Sequence, residues 1–144
     1  SLVGSEMCIR DSADTYPKRR SMTRVKELTA EGINVSFGYD DIFDPWNPLG
    51  NGNMRDPVFM GLYAGHMLGY DEICNSYKFV TTNAARTLHL GDAYGIKEGN
   101  AANFVVFDAK NWYDALNYDV SVLYSYRNGK LVAETKPKET TVHY

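Results

Sequence analysis

The pattern of apolar and polar positions divides the chain into segments of different period. "SMTRVKELTAEG", residues 21–32, predicts a short helix. Ser21 or Thr23 can cap it, Val25 and Leu28 share a face, and Gly32 is placed to end it in a left-handed conformation. "INVSFG", residues 33–38, alternates with a period of two and predicts a strand. Ile33, Val35 and Phe37 point one way, and Asn34, Ser36 and Gly38 the other. "MRDPVFMGLYAGHMLG", residues 54–69, predicts a helix with Val58, Phe59, Leu62 and Met67 on its apolar face. Pro57 fits only in a first turn, so the helix proper starts near Asp56. Gly61, Gly65 and Gly69 recur every four residues, which costs helix propensity and implies close packing on a neighbour.

A further helical stretch begins at Asp71, and "TTNAARTLHLG" continues it, with Thr82 or Asn83 as a cap. After Gly91 the pattern changes. "GIKEGNAANFVVFD" has turn residues and then an apolar β run, Phe104–Phe107. "VSVLYSYRNGKLVAET" predicts a hairpin, because Asn128 and Gly129 suit a tight turn between two alternating strands. A helix-plus-strand part, 13–90, thus precedes a β part, 91–144. "SLVGSEMCIRDS", residues 1–12, has no periodicity leading into the rest and none of the build of a signal peptide. It is similar to a peptide translated from sequencing-adaptor DNA and is set apart from the fold as an artefactual or disordered tail.

Composition narrows the function classes. With 44% hydrophobic residues in 144, a packed core is expected and disorder is not. A net charge of −3 from 15 basic and 18 acidic residues argues against a nucleic-acid partner. The basic cluster Lys18, Arg19, Arg20, Arg24 and Lys26 reads as a solvated helix face. No apolar run reaches the ~18 residues that a membrane span needs. The two cysteines, Cys8 and Cys74, make no CxxC pair and point to a reduced interior. His66, His89 and His143 lie far apart, so local motifs assemble no metal site.

The candidate chemistry sits just after the 33–38 strand. Asp40 and Asp41 are adjacent, Asp44 follows, and then comes a loop rich in Pro, Gly and Asn. Counting by twos puts Asp40 on the small polar side with Asn34 and Ser36. In a β/α barrel the lumen side of a strand's C-terminal end carries the active site. An isolated buried carboxylate is costly or has a raised pKa, and a divalent cation removes that penalty. For an arbitrary Asp-Asp pair, an N-cap or an Asx-turn at a strand-to-loop corner is the commoner explanation. A calcium loop does not, since "DDIFDPWNPLG" lacks the alternating acids followed by Gly. Phe43, Pro45 and Trp46 are stiff, so the loop suits either recognition of a flat ring or capping of the core.

"DTYPKRRSMTRVKELTAEGINVSFGYDDIFDPWNPLGNGNM" closely resembles bacterial cytosine deaminases of the amidohydrolase superfamily. "TTNAARTLHLGDAYGIKEGNAANFVVFDA" and "SVLYSYRNGKLVAET" resemble the superfamily's general C-terminal signature. The resemblance implies an α/β fold. It makes this chain a C-terminal fragment of a metal-dependent (β/α)8 barrel, its last strand and helices in 13–90, followed by strands of a small β-sandwich domain in 91–144. It implies one divalent metal ion, iron(II) or zinc(II). Asp40 matches the family's metal ligand and proton shuttle, Asp41 a residue near the pyrimidine, and Trp46 the aromatic of the loop over the site.

The implied reaction is deamination of cytosine to uracil and ammonia by a metal-activated water. The implied partners are a small-molecule base and, for the intact enzyme, further copies of itself in the cytoplasm. Tyr39 departs from the family, where His or Gln is common, and so leaves isoguanine, creatinine or another cyclic amidine or amide open. The remaining metal ligands of the family come from earlier strands, and a whole barrel takes about 250 residues. This polypeptide alone is therefore expected to be inactive. A non-catalytic α+β module is the other reading.

Overall fold

The computed structural model describes residues 23–45 and 47–143. The 1–12 tail, Cys8, Lys18, Arg19, Arg20, Ser21 and Trp46 lie outside the described residues. Helix α1, Val25–Ala30, fills only the middle of the expected span. Its N-cap is Arg24, with no side-chain cap from Thr23. Gly32, at φ 75°, ends it as expected, and Ile33 N–H returns to Leu28 O at 3.0 Å. Arg24 pairs with Glu27 and Lys26 with Glu72, each at 2.8 Å, so this part of the basic cluster is a solvated face.

Residues 33–38 form no strand. A strand needs a neighbour to complete its ladder, and among the described residues none lies beside it. Its alternation survives in the side chains. Val35 and Phe37 pack on the core, while Ile33 is exposed. A backbone bond runs from Phe37 N–H across to Phe79 O at 2.9 Å. The polar side meets a helix rather than an open lumen. Asn34 Nδ2 donates to Asn83 O at 3.1 Å and to Thr87 Oγ1 at 3.0 Å, and Ser36 Oγ meets Thr87 Oγ1 at 3.0 Å.

Helix α2, Arg55–Ala64, is shorter than its apolar pattern. Val58 and Leu62 are buried as expected, and so is Met67 beyond the helix end, but Phe59 is exposed. The glycine stripe splits into three jobs. Gly61 packs against Phe37: a Cβ there would stand 2.5 Å from Phe37 Cε2. Gly65 is the C-cap of α2, and Gly69 is the N-cap of α3, Tyr70–Asn75. A 3-10 turn, Ser76–Val80, leads to α4, Thr82–Thr87. Thr81, not Thr82 or Asn83, is the N-cap of α4. Asn83 instead donates through Nδ2 to Val35 O at 2.8 Å, across to the 33–38 segment.

The second part holds a three-stranded antiparallel sheet in the order β1-β2-β3: Phe104–Phe107, Val122–Arg127 and Lys130–Glu134. Asn128 at φ 50° and Gly129 at φ 73° make the expected two-residue turn. A helix that periodicity did not announce, α5 at Trp112–Asn117, interrupts the strands. Asn111 caps it by accepting Asp114 N–H at 2.8 Å. Through α5 the second part joins the core of the first. Leu116 packs with Val25, Val58, Leu62 and Met67. Trp112 Nε1 donates to the fully buried Ser76 Oγ at 2.9 Å. Arg55 NH1 donates to Ala115 O at 2.9 Å, and NH2 pairs with Asp119 at 2.8 Å.

Candidate active site

The candidate site is the loop between residues 39 and 51. At Asp40 the backbone turns left-handed, φ 60°, a conformation that Asp tolerates better than most residues. The count by twos therefore stops at Tyr39, and alternation alone does not fix the direction of Asp40. Phe43, at φ 52°, is a second left-handed residue three positions on, and an aromatic side chain there is strained. It stands 83% exposed at the loop's outer edge.

The acids are held unequally. Asp40 is exposed and Asp41 half-buried. Burial pushes the Asp41 carboxyl above the ordinary carboxylate range, and the nearby charges of Asp40 and Asp44 push it the same way. Asn47 organises the loop's far side. Its N–H donates to Asp44 Oδ1 at 2.8 Å, and its Nδ2 donates to Asp41 O at 3.1 Å. Gly50 is buried beneath that contact, where a Cβ would stand 2.7 Å from Asp41 O. Asp44, not Asp40 or Asp41, thus makes the local side-chain-to-backbone bond, reaching an amide three residues on.

The loop's two ends are joined by Tyr39, the residue that departs from the family this sequence resembles. Tyr39 Oη accepts Asn51 N–H at 2.9 Å. Its own proton faces Asp56 Oδ2 at 3.1 Å and Asn51 Oδ1 at 3.3 Å. Asn51 Oδ1 in turn accepts Asn53 N–H at 2.7 Å, and Asn53 Oδ1 accepts Arg55 N–H at 3.2 Å. No periodic signal pointed to this chain of contacts.

The structure thus brings Asp40, Asp41 and Asp44 into one loop. His66, His89 and His143 are all exposed elsewhere, the first two at left-handed positions just past the ends of α2 and α4. Carboxylate oxygens are hard donors that suit a divalent ion, and the repulsion acting on Asp41 is of the kind a cation removes. The set is nevertheless incomplete. Among the described residues, no three His, Cys, Asp or Glu side chains are placed to hold a metal ion. These residues fit a metal only as part of a larger set of donors.

The profile of the Amidohydrolase family matches residues 4–133. The chain belongs to the amidohydrolase family. Within it, a curated relative, pterin deaminase of Rhizobium rhizogenes, is 30% identical over 142 residues, 95% of this chain and 32% of its own length. The N-isopropylammelide isopropyl amidohydrolase of a Pseudomonas species is 27% identical over 127 residues, 88% of this chain and 30% of its own. This amidohydrolase chain thus spans about a third of the curated relatives it matches.

Among solved structures, 5-methylcytosine deaminase of Klebsiella pneumoniae, liganded with 5-fluorocytosine, superposes with a TM-score of 0.83 at 46% identity. The match covers 92% of this chain and 32% of that one. The resemblance to cytosine deaminases read from "DDIFDPWNPLGNGNM" is therefore supported by fold and sequence together. Among the described residues of this amidohydrolase, no helix is long and apolar enough to cross a membrane.

Proposed function

We infer that this chain is part of an enzyme that removes the exocyclic amine of cytosine or its 5-methyl derivative by hydrolysis, giving the corresponding uracil and ammonia. The observation that carries this reading is the 46% identity, at a TM-score of 0.83, to a 5-methylcytosine deaminase. In this reading residues 13–90 supply the last strand and helices of a (β/α)8 barrel, and 91–144 supply strands of a small β-sandwich domain. The intact enzyme is cytoplasmic and homo-oligomeric.

Asp40 serves as one carboxylate donor to a divalent ion, iron(II) or zinc(II), whose remaining donors lie outside the described residues. Such an ion, when bound, supplies a water whose pKa is lowered toward neutrality. A carboxylate oxygen of Asp40 takes a proton from the attacking water and passes it toward the departing amine. Asp41, whose carboxyl pKa is raised, serves beside the pyrimidine as a hydrogen-bonding group, and the resemblance assigns to Trp46 the role of the aromatic over the flat ring. A second reading, a related enzyme acting on another cyclic amidine or amide such as isoguanine or creatinine, is favoured by the pterin deaminase likeness.

The test is to assay the intact protein that carries this chain, loaded with zinc(II) or iron(II), for ammonia release from cytosine, 5-methylcytosine, isoguanine and creatinine. Cytosine or 5-methylcytosine is expected to be the best substrate. Asp40→Asn is expected to lower kcat by at least about a hundredfold, the usual range for a lost acid–base group. Undiminished activity in that variant ends the assignment of Asp40.

A further inference from the structure

The geometry points to Tyr39 as a positioning residue: its hydroxyl clamps the two ends of the 40–50 loop together and so holds Asp40 and Asp41 in place, without reading the substrate. Residues 39 and 51 are the last before the loop and the first after it. Tyr39 Oη accepts Asn51 N–H at 2.9 Å, which closes the loop's neck. Asp56 Oδ2, 3.1 Å away in the first turn of α2, anchors the neck to a helix packed on the core. With a lone pair holding the Asn51 amide and the proton turned to the Asp56 carboxylate, the hydroxyl's single donor is spent inside the protein.

The consequence falls on the next residue. Asp40 sits at φ 60° immediately after Tyr39. A left-handed residue persists only where its surroundings over-determine it. On the near side of the turn, the Tyr39 clamp supplies that constraint. On the far side, Asn47 holds Asp41 O, and Gly50 allows the close approach. Loss of the clamp lets the Asp40 and Asp41 carboxylates wander, and a displacement of order 1 Å at a reacting group costs up to about a hundredfold in rate.

This inference rests on the deaminase reading for its kinetic arm only. In the intact protein that carries this chain, Tyr39→Phe and Asp56→Ala are each expected to lower kcat for cytosine roughly tenfold with KM little changed. The double variant is expected to fall no further, because both changes open one clamp. Asp56→Asn keeps an acceptor oxygen and is expected to restore most of the rate. A residue that reads the base behaves otherwise: Tyr39→Phe then raises KM at constant kcat, and its effect adds to that of Asp56→Ala. Either of those results overturns the proposal.

Amide hydrogen exchange on the same proteins gives the second readout. Exchange at Asn51 N–H is expected to rise at least about tenfold in Tyr39→Phe, while Val58 and Leu62 in α2 stay unchanged. Unchanged exchange at Asn51 refutes the clamp whatever the activity. Faster exchange at Asn51 in a protein without deaminase activity keeps the clamp and removes the deaminase reading instead.

Discussion

Phe37 lies flat on Phe79, ring centroids 4.6 Å apart and planes 14° from parallel, with its edge against the bare backbone of Gly61. The stack fixes the Phe37 ring, so it has little room to yield. A methyl group at position 61 would meet Phe37 Cε2 at 2.5 Å. Gly61→Ala gains up to about 1 kcal/mol of helix propensity, and overpacking costs roughly 1–3 kcal/mol. We expect a net loss of about 1 kcal/mol by urea unfolding, recovered in part when Phe37→Leu is added. A stabilised Gly61→Ala chain contradicts the packing described.

The two sides of α2 make a sharp contrast. Leu62 is 3% exposed within the core cluster, whereas Met60 is 63% exposed. Leu62→Ala should cost about 2–5 kcal/mol, and Met60→Ala should stay within about 0.5 kcal/mol. Parallel denaturant curves on the two variants decide whether the helix is rotated as described.

Arg55 and Asp119 form an ion pair of unequal partners. The Arg55 side chain is 10% exposed and that of Asp119 is 90% exposed. Removing Asp119 leaves Arg55 its bond to Ala115 O and its place 5.9 Å over the Phe107 ring. Asp119→Ala is therefore expected to cost under about 1 kcal/mol. Arg55→Ala strips the Ala115 carbonyl of a charged donor and should cost about 1–3 kcal/mol. Arg55→Lys cannot reproduce the two-armed grip, and melts of all three should rank Asp119→Ala mildest.

Glu72 links α1 to α3. Its carboxylate pairs with Lys26 at 2.8 Å and accepts Gly69 N–H at 2.9 Å. The Lys26 contact first, and the Gly69 amide second, hold its carboxyl below the ordinary glutamate range. A carboxyl lowered by folding adds stability that is present above its unfolded pKa and is lost as pH falls through the folded one. Glu72→Gln should therefore be less stable than the parent at neutral pH. The two should converge below the ordinary glutamate range, read by urea titrations at several pH values.

Sequence was most informative where one residue type answers one backbone demand. Asn128 and Gly129 announced the hairpin, and Gly32 the end of α1, because few residues accept positive φ. Gly61 was legible as a contact, but Gly65 and Gly69 share its spacing and serve as caps, since a period of four does not tell a packing face from a helix boundary. Helix α5 was missed because six residues are too few to establish a period, although Trp112, Ala115 and Leu116 hold helical spacing; Asn111, three positions before Asp114, was its start signal. At the candidate site the acids were legible by type. Their placement was not: a left-handed Asp40 breaks the alternation, and the Tyr39 contacts span 12 and 17 residues.

The indole of Trp112, seated on Ser76, gives the molecule an optical reporter of its own. The chain has two tryptophans, and the other is Trp46. With Trp46→Phe in place, emission comes from Trp112 alone. Its wavelength then tracks whether α5 is docked, separately from the state of the site loop. Undocking of α5, the contact that ties the sheet-bearing part to the helices, can thereby be followed by light alone.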